Sequence, residues 1–101
     1  MLEILEKPAV KPLRPKMYNV ILWDSPDHTA EYVVEMMSSV FGHTKEDGEK
    51  IVQNLVEDKK AVCFTTLLEQ AEFKCERIKK YGADQRVSGC KGGMHSTFEP
   101  V

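Results

Sequence analysis

The chain has 101 residues, a length that suits one domain with a single modest core. Its 42% hydrophobic and 30% charged residues are typical of a globular protein, and a formal net charge of -2 argues against a broad nucleic-acid-binding surface. No apolar run reaches the length of a membrane span, and the first residues lack the order of a signal peptide. We therefore expect a cytoplasmic protein that contacts neither nucleic acid nor membrane.

The cysteine pattern argues against disulfide and metal chemistry. Cys63, Cys75 and Cys90 are odd in number and widely spaced, which is unlike a secreted disulfide framework. They are expected to be free thiols that pack as small apolar side chains. His43 and His95 do not supply the tight spacing of a zinc site either, so neither a metal nor a cofactor is expected.

The first elements are a basic arm and a strand. Residues 1–16 contain three prolines interleaved with lysine and arginine, which predicts a flexible arm ahead of a single domain at 17–101. Met17–Trp23 is apolar nearly throughout and rich in β-branched and aromatic residues. This pattern predicts a strand that is at least partly covered on both faces.

Two helices follow the turn at Asp24–His28. Thr29 is the predicted N-cap of a helix that ends near Phe41, where Gly42 suits a left-handed cap. The apolar residues of this helix share one face: Tyr32, Val33, Met36, Met37, Val40 and Phe41. The second helix is predicted from Thr44, with Asp47 completing an approximate capping box, to about Asp58. Its apolar stripe is Ile51, Val52, Leu55 and Val56, and Gly48 weakens it by roughly 1 kcal/mol relative to alanine.

The remaining pattern predicts Ala61–Thr66 as a strand, Leu68–Tyr81 as a helix ended by Gly82, and Met94–Phe98 as a last strand after a loop. The apolar face of the third helix is Leu68, Ala71, Cys75 and Ile78. The order β-α-α-β-α-β predicts an α+β fold in which three helices pack on one face of a small antiparallel three-stranded sheet.

The polar turn offers two readings from residue chemistry alone. Asp24 and His28 have the types needed for acid–base work, and Ser25 has the type of a nucleophile with His28 as its base. No second catalytic motif supports these roles, and turn and capping functions explain the same residue types. A small enzyme that uses Asp24 and His28 therefore stays open as a minor alternative.

A longer comparison points to a known family. The comparison is carried by three segments: MYNVILWDSPDHTAEYVVEMMSSVFG, AVCF and EQAEFKCERIKKYG. Over residues 12–82 the chain resembles, without a gap in the match, the ClpS family of adaptors for Clp AAA+ proteases. HSTFE resembles the last strand of the family, after an insertion at 87–93. The resemblance implies a non-catalytic adaptor, and since nothing in the sequence suggests an obligate oligomer, a monomer is expected. Such an adaptor binds proteins by a destabilising N-terminal residue and delivers them to the N-terminal domain of a ClpA- or ClpC-like unfoldase.

The resemblance also implies a site for the cargo's α-amino group. Asp24 and Ser25 occupy the positions where the family usually has asparagine and aspartate, so Ser25 keeps an acceptor oxygen but loses a charge. Val56 occupies the position of a histidine that the family uses as a further ligand, and valine cannot accept a hydrogen bond. His28, with Asp27 beside it, is the candidate replacement.

The resemblance further implies a side-chain pocket and a docking surface. Val33, Val52 and Leu55 match pocket-lining positions, with Val56 beside them and Met94 completing the pocket. Ala30 replaces a methionine that narrows the entrance, which implies a wider mouth. Glu69 and Lys74 match charged positions that face the unfoldase. The competing readings are ordinary helix-face core for the valines and leucine, and a solvated helix face for the charged pair.

Three functions follow as hypotheses. The first is a working adaptor for N-terminal degrons. The second is a diverged paralogue that docks on the unfoldase but reads a different signal, which Ser25 and Val56 favour. The third class is the small enzyme described above, and an unrelated binding module remains open because a fold does not determine a function.

Overall fold

A computed structural model describes residues 15–101, so the predicted arm lies outside the described residues except for Pro15 and Lys16. Within them the element order is the predicted β-α-α-β-α-β. The elements are β1 (Met17–Trp23), α1 (Ala30–Phe41), α2 (Lys45–Asp58), β2 (Lys60–Leu67), α3 (Leu68–Lys80) and β3 (Ser96–Pro100). The strands form an antiparallel sheet in the order β2-β1-β3. The α+β fold class is thereby confirmed.

Strand β1 lies at the centre of the sheet because its apolar side chains are buried on both faces. Val20, Ile21 and Leu22 are consecutive and all buried, as expected for a strand that is covered on both sides. Val20 and Leu22 belong to the core cluster that the helices cover. The bounds of β1 agree with the prediction.

Helix α1 begins and ends at the predicted residues. The Thr29 hydroxyl oxygen accepts a hydrogen bond from the N–H of Tyr32, which satisfies one of the free donors of the first turn. Gly42 has a φ of 74°, and its N–H reaches the carbonyls of Met37 and Ser38. Both contacts are the sequence-predicted caps, so the length of α1 is encoded locally.

Helix α2 packs closely on α1 at a glycine. A Cβ atom on Gly48 would lie 3.2 Å from the Cα atom of Val34, so the missing side chain permits the close approach of the two helices. Ile51 and Leu55 are buried as predicted, whereas Val56 is 65% exposed. The predicted stripe was wrong at Val56. At about 100° per residue, Val56 lies roughly 100° from the direction shared by the buried positions of the helix.

Helix α3 ends at Lys80, one residue before the predicted end, and its buried face is narrower than expected. Ala71 and Ile78 are fully buried and Cys75 is half-buried, but Leu68 is 40% exposed. Leu68 was therefore wrongly placed in the core face. It is the first residue of the helix and directly follows β2 without a loop. None of the helices in residues 15–101 has the length and hydropathy that crossing a bilayer requires.

Strand β3 begins two residues later than predicted. Its ladder with β1 runs from Ser96 to Pro100, and Met94 instead inserts its side chain into the core. The preceding Gly93 lies against the backbone of the last turn of α3, which directs Met94 inward before the chain joins the sheet. Pro100 is tolerated because β3 is an edge strand, where a missing N–H disrupts no interior ladder.

Candidate functional site

The turn between β1 and α1 presents two exposed carboxylates, those of Asp24 and Asp27. The backbone N–H of Asp24 donates to the carbonyl of Lys59 at 3.0 Å, which ties the turn to the end of α2. The Asp24 side chain is exposed and makes no hydrogen bond or ion pair to residues 15–101. Within residues 15–101 nothing competes for the Asp24 carboxylate, which can accept hydrogen bonds from an ammonium group.

Ser25 and His28 are brought together across the same turn. The Oγ atom of Ser25 lies 2.8 Å from Nδ1 of His28 and accepts the N–H of Asp27 at 3.2 Å. The other ring nitrogen, Nε2, lies 2.7 Å from the carbonyl oxygen of Gly92. Both nitrogens of His28 are thus engaged within the protein, so the arrangement leaves neither one free for a cargo amine.

Asp84 anchors the N-terminus of α1 from a distant part of the chain. It is 1% exposed, and its Oδ2 accepts the N–H and the hydroxyl of Thr29 at 2.7 and 2.8 Å. Its Oδ1 accepts the N–H of Arg86 at 3.0 Å. Burial acts to raise the pKa of Asp84, but the hydrogen bonds from Thr29 and Arg86 outweigh it and lower the pKa to about 2. The ionised carboxylate therefore holds the start of α1, where the helix dipole also favours negative charge.

Tyr32 closes the inner side of the turn. Its hydroxyl donates to the carbonyl of Gly82 at 2.6 Å, and its ring lies 4.6 Å from the ring of His28, centroid to centroid. Burial raises the pKa of Tyr32 to about 12, with smaller contributions from Cys90, Tyr81 and Asp84. Tyr32 is therefore a neutral donor that packs the turn against the segment after α3.

A groove of about 380 Å³ runs between α1 and α2, beginning at Ala30, the first residue of α1. Its lining combines small apolar side chains with three glutamates and one lysine: Ala30, Glu31, Val34, Glu35, Lys45, Glu49 and Val52. Arg86 pairs with Glu35 at 2.7 Å on the surface. The groove can hold an apolar side chain, and its rim is predominantly acidic.

The predicted pocket residues separate into three groups. Val33, Leu55 and Met94 are almost completely buried in the core cluster. Ala30 and Val52 line the groove, Ala30 being exposed and Val52 half-buried. Val56 is exposed on α2 and does not line this groove. The structure therefore brings Ala30 and Val52 together, while the pocket roles of all six residues stay predictions.

The two predicted docking residues differ in their surroundings. Glu69 lies exposed in the first turn of α3. Lys74 is half-buried, and its Nζ donates to the carbonyl of Val40 at 2.8 Å and lies 5.7 Å from the ring centroid of Phe41. Lys74 thus also binds the C-terminal end of α1, where a cation is favoured.

Sequence reasoning missed the contributions of Asp84, Tyr32 and Gly92 to the site. Tyr32 was assigned only to the core face, and the loop glycines were given no role. The sequence did contain one signal for the role of Asp84. An aspartate that closely follows a helix-ending glycine can cap another helix. Its partner Thr29 is 55 positions away, which no local pattern reveals.

The chemistry of the turn has two interpretations. The Ser25–His28 distance suits both a serine nucleophile with a general base and a hydroxyl held in one orientation. Among residues 15–101 no group of three His, Cys, Asp or Glu side chains is arranged to hold a metal ion. The relatives of the chain distinguish the two interpretations of the turn.

Comparison with known proteins identifies relatives of one kind. A ClpS adapter protein from Vibrio cholerae serotype O1 is 32% identical over 80 residues, covering 78% of this chain and 73% of the relative. One from Vibrio atlanticus is 28% identical over 82 residues, covering 81% and 77%. The structure of Agrobacterium tumefaciens ClpS2 bound to L-phenylalaninamide superposes with a TM-score of 0.73 at 24% identity, over 87% of this chain and all of that one.

The family profile described as "ATP-dependent Clp protease adaptor protein ClpS" matches residues 13–90. This range contains β1 to α3, the polar turn and the groove, and it extends past Asp84. Together with the curated relatives, the match establishes that the chain belongs to the ClpS family of Clp protease adaptors.

Proposed function

We propose that this chain binds proteins through a free N-terminal residue and presents them to the N-terminal domain of a ClpA- or ClpC-like unfoldase. Its family consists of adaptors, so it acts by binding and not by catalysis. We further propose that it works as a cytoplasmic monomer without cofactor, with an arm at 1–16 ahead of the domain at 17–101.

The observation that carries the proposal is the position of Asp24 relative to the groove. The exposed carboxylate of Asp24 directly follows β1, and α1 begins six residues later with Ala30, which lines the groove. An N-terminal residue needs acceptors for its ammonium group beside a recess for its side chain. The related ClpS2 was solved with L-phenylalaninamide, a molecule that has a free α-amino group and an aromatic side chain.

Acetylation of the peptide is expected to abolish binding. Acetylation removes the positive charge and two donors of the α-amino group while leaving the side chain unchanged. Fluorescence anisotropy on labelled decapeptides that begin with Leu, Phe, Tyr, Trp, Met or Ala, each with an acetylated copy, measures this. A preference for large apolar first residues that disappears on acetylation supports the proposal. Equal binding of free and acetylated peptides rules it out.

The second candidate is a paralogue that docks on the unfoldase without reading N-terminal residues. It is favoured by exposed Val56, which offers no acceptor, and by the neutral Ser25. It predicts a complex with the unfoldase N-domain together with no preference among the peptides above. A folded sample that binds neither peptides nor the N-domain contradicts both candidates.

Replacing Glu69 with alanine is expected to weaken binding to the isolated unfoldase N-domain about fivefold or more without lowering the melting temperature, because Glu69 is exposed. Lys74→Ala should weaken binding and also lower the melting temperature, since it removes the contact with the Val40 carbonyl. Glu99→Ala on β3 is the matched control for loss of an exposed carboxylate. Calorimetry measures the affinity of the three variants for the N-domain. Equal affinities in all three would show that the exposed surface of α3 does not dock on the unfoldase.

A further inference from the structure

The 87–93 insertion reaches the proposed amine-binding turn through one side chain. Gly93 lies against the carbonyls of Ile78 and Lys79 at the end of α3, and the Gly92 carbonyl lies 2.7 Å from Nε2 of His28. The insertion therefore contacts the turn directly. His28 is the bridge, because its other ring nitrogen contacts Ser25.

The hydrogen atoms in this bridge can be assigned from donor and acceptor chemistry. A backbone carbonyl only accepts, so Nε2 of a neutral His28 must carry the hydrogen that it donates to Gly92. Nδ1 is then the acceptor, and the Ser25 hydroxyl must donate to it across 2.8 Å. The Ser25 oxygen also accepts the N–H of Asp27, and one lone pair remains.

We propose that His28 is a positioning residue that turns the hydroxyl hydrogen of Ser25 away from the cargo, so that Ser25 offers a lone pair to the cargo's α-ammonium beside Asp24. The proposal rests on the proposed function. It accounts for a neutral serine at a position where an acceptor is required: a hydroxyl otherwise rotates freely and presents its hydrogen as readily as its lone pairs. It also gives the insertion a role, since the Gly92 carbonyl selects the tautomer of His28.

The ring of His28 is packed between α1 and the insertion. The groups packed around the ring are Tyr32 from α1, with Tyr81 behind it, and Cys90 from the insertion, whose Sγ lies 3.5 Å from Nε2. Asp24 and Asp27 are the carboxylates of the same turn, and the Asp84 carboxylate is committed to Thr29 and Arg86.

Two substitutions each remove one of the two hydrogen bonds of the His28 ring. In His28→Asn the amide oxygen can take the place of Nδ1 and accept from Ser25, while the contact to Gly92 is lost. In His28→Gln the amide nitrogen can take the place of Nε2 and donate to Gly92, while the acceptor for Ser25 is lost. We expect His28→Asn to stay within about threefold of the wild-type affinity at pH 7.5. His28→Gln and His28→Ala should each lose about tenfold.

The test measures the anisotropy of a labelled decapeptide that begins with phenylalanine, at pH 7.5, for the wild type and the three variants. Melting temperatures of all variants establish that the samples are folded.

The outcomes separate this proposal from the proposed function. Wild-type binding that requires a free amino group, together with a His28→Asn variant that is as weak as His28→Gln, overturns the bridge alone. In a Ser25→Ala background the further change His28→Gln should no longer alter affinity, and a persisting loss would show that His28 acts on folding instead. If the wild type binds no free-amino peptide, the proposed function fails first and the bridge fails with it.

Discussion

An alanine at Gly93 is expected to lower the free energy of unfolding by roughly 1–3 kcal/mol. The new Cβ would lie 2.6 Å from the carbonyl oxygen of Ile78 and 2.7 Å from that of Lys79. Both are backbone atoms at the end of α3, so no side-chain rotation relieves the contact. Either the helix end or the insertion must move, and Met94 would move with it out of the core.

Gly92→Ala is the matched control for Gly93→Ala. A Cβ on Gly92 would meet no heavy atom within 4 Å, so its cost should stay within about 0.5 kcal/mol. Urea denaturation followed by far-ultraviolet circular dichroism measures both variants. Equal stabilities of the two variants would show that the insertion is not packed on α3 as described.

Asp84→Asn is expected to lower the melting temperature at pH 7 by at least about 5 °C, because the start of α1 loses its buried carboxylate. The effect should depend on pH. The pKa of Asp84 falls from its ordinary value of 3.8 to about 2, as hydrogen bonds from Thr29 and Arg86 outweigh burial. A carboxyl with a lowered folded-state pKa stabilises fully above its unfolded pKa and loses that contribution as the pH falls through the folded value.

The difference in melting temperature between wild type and Asp84→Asn should therefore be largest above about pH 5 and shrink between about pH 4 and pH 2. Differential scanning calorimetry at pH 7, 5, 4, 3 and 2 measures it. Glu99→Gln is the control, since Glu99 is an exposed carboxylate on β3. A melting-temperature difference that stays constant down to pH 2 would mean that the charge of Asp84 does not contribute to stability.

The local elements could be predicted because their signals lie within a few residues of each other. β1 has its predicted bounds, and α1 ends at Phe41 because Gly42 adopts the left-handed conformation that its lack of a side chain permits. Thr29 and Thr44 cap the helices that follow them, each through a backbone N–H three residues on. Hydrophobic periodicity and capping were sufficient here because both are short-range.

The errors arose where packing between distant segments decides the outcome. Val56 continues an apolar stripe in the sequence, yet the close approach at Gly48 sets the rotation of α2 and leaves Val56 exposed. Met94 looks like the start of a strand, yet the contact of Gly93 with α3 turns its side chain into the core. Periodicity contains no information about which neighbouring element covers a residue.

The candidate site shows the same division. Asp24, Ser25 and His28 were predictable as a polar turn at the end of a buried strand, and the family followed from the ungapped order of elements along residues 12–82. Only the tertiary structure reveals that His28 joins Ser25 to Gly92, and that Asp84 binds Thr29 from 55 positions away. The sequence by itself determined the elements, their order and the family, because these depend on local chemistry and on a pattern shared with relatives. The tertiary structure alone decided which side chains meet, because hydrogen bonds depend on distances in space and not along the chain.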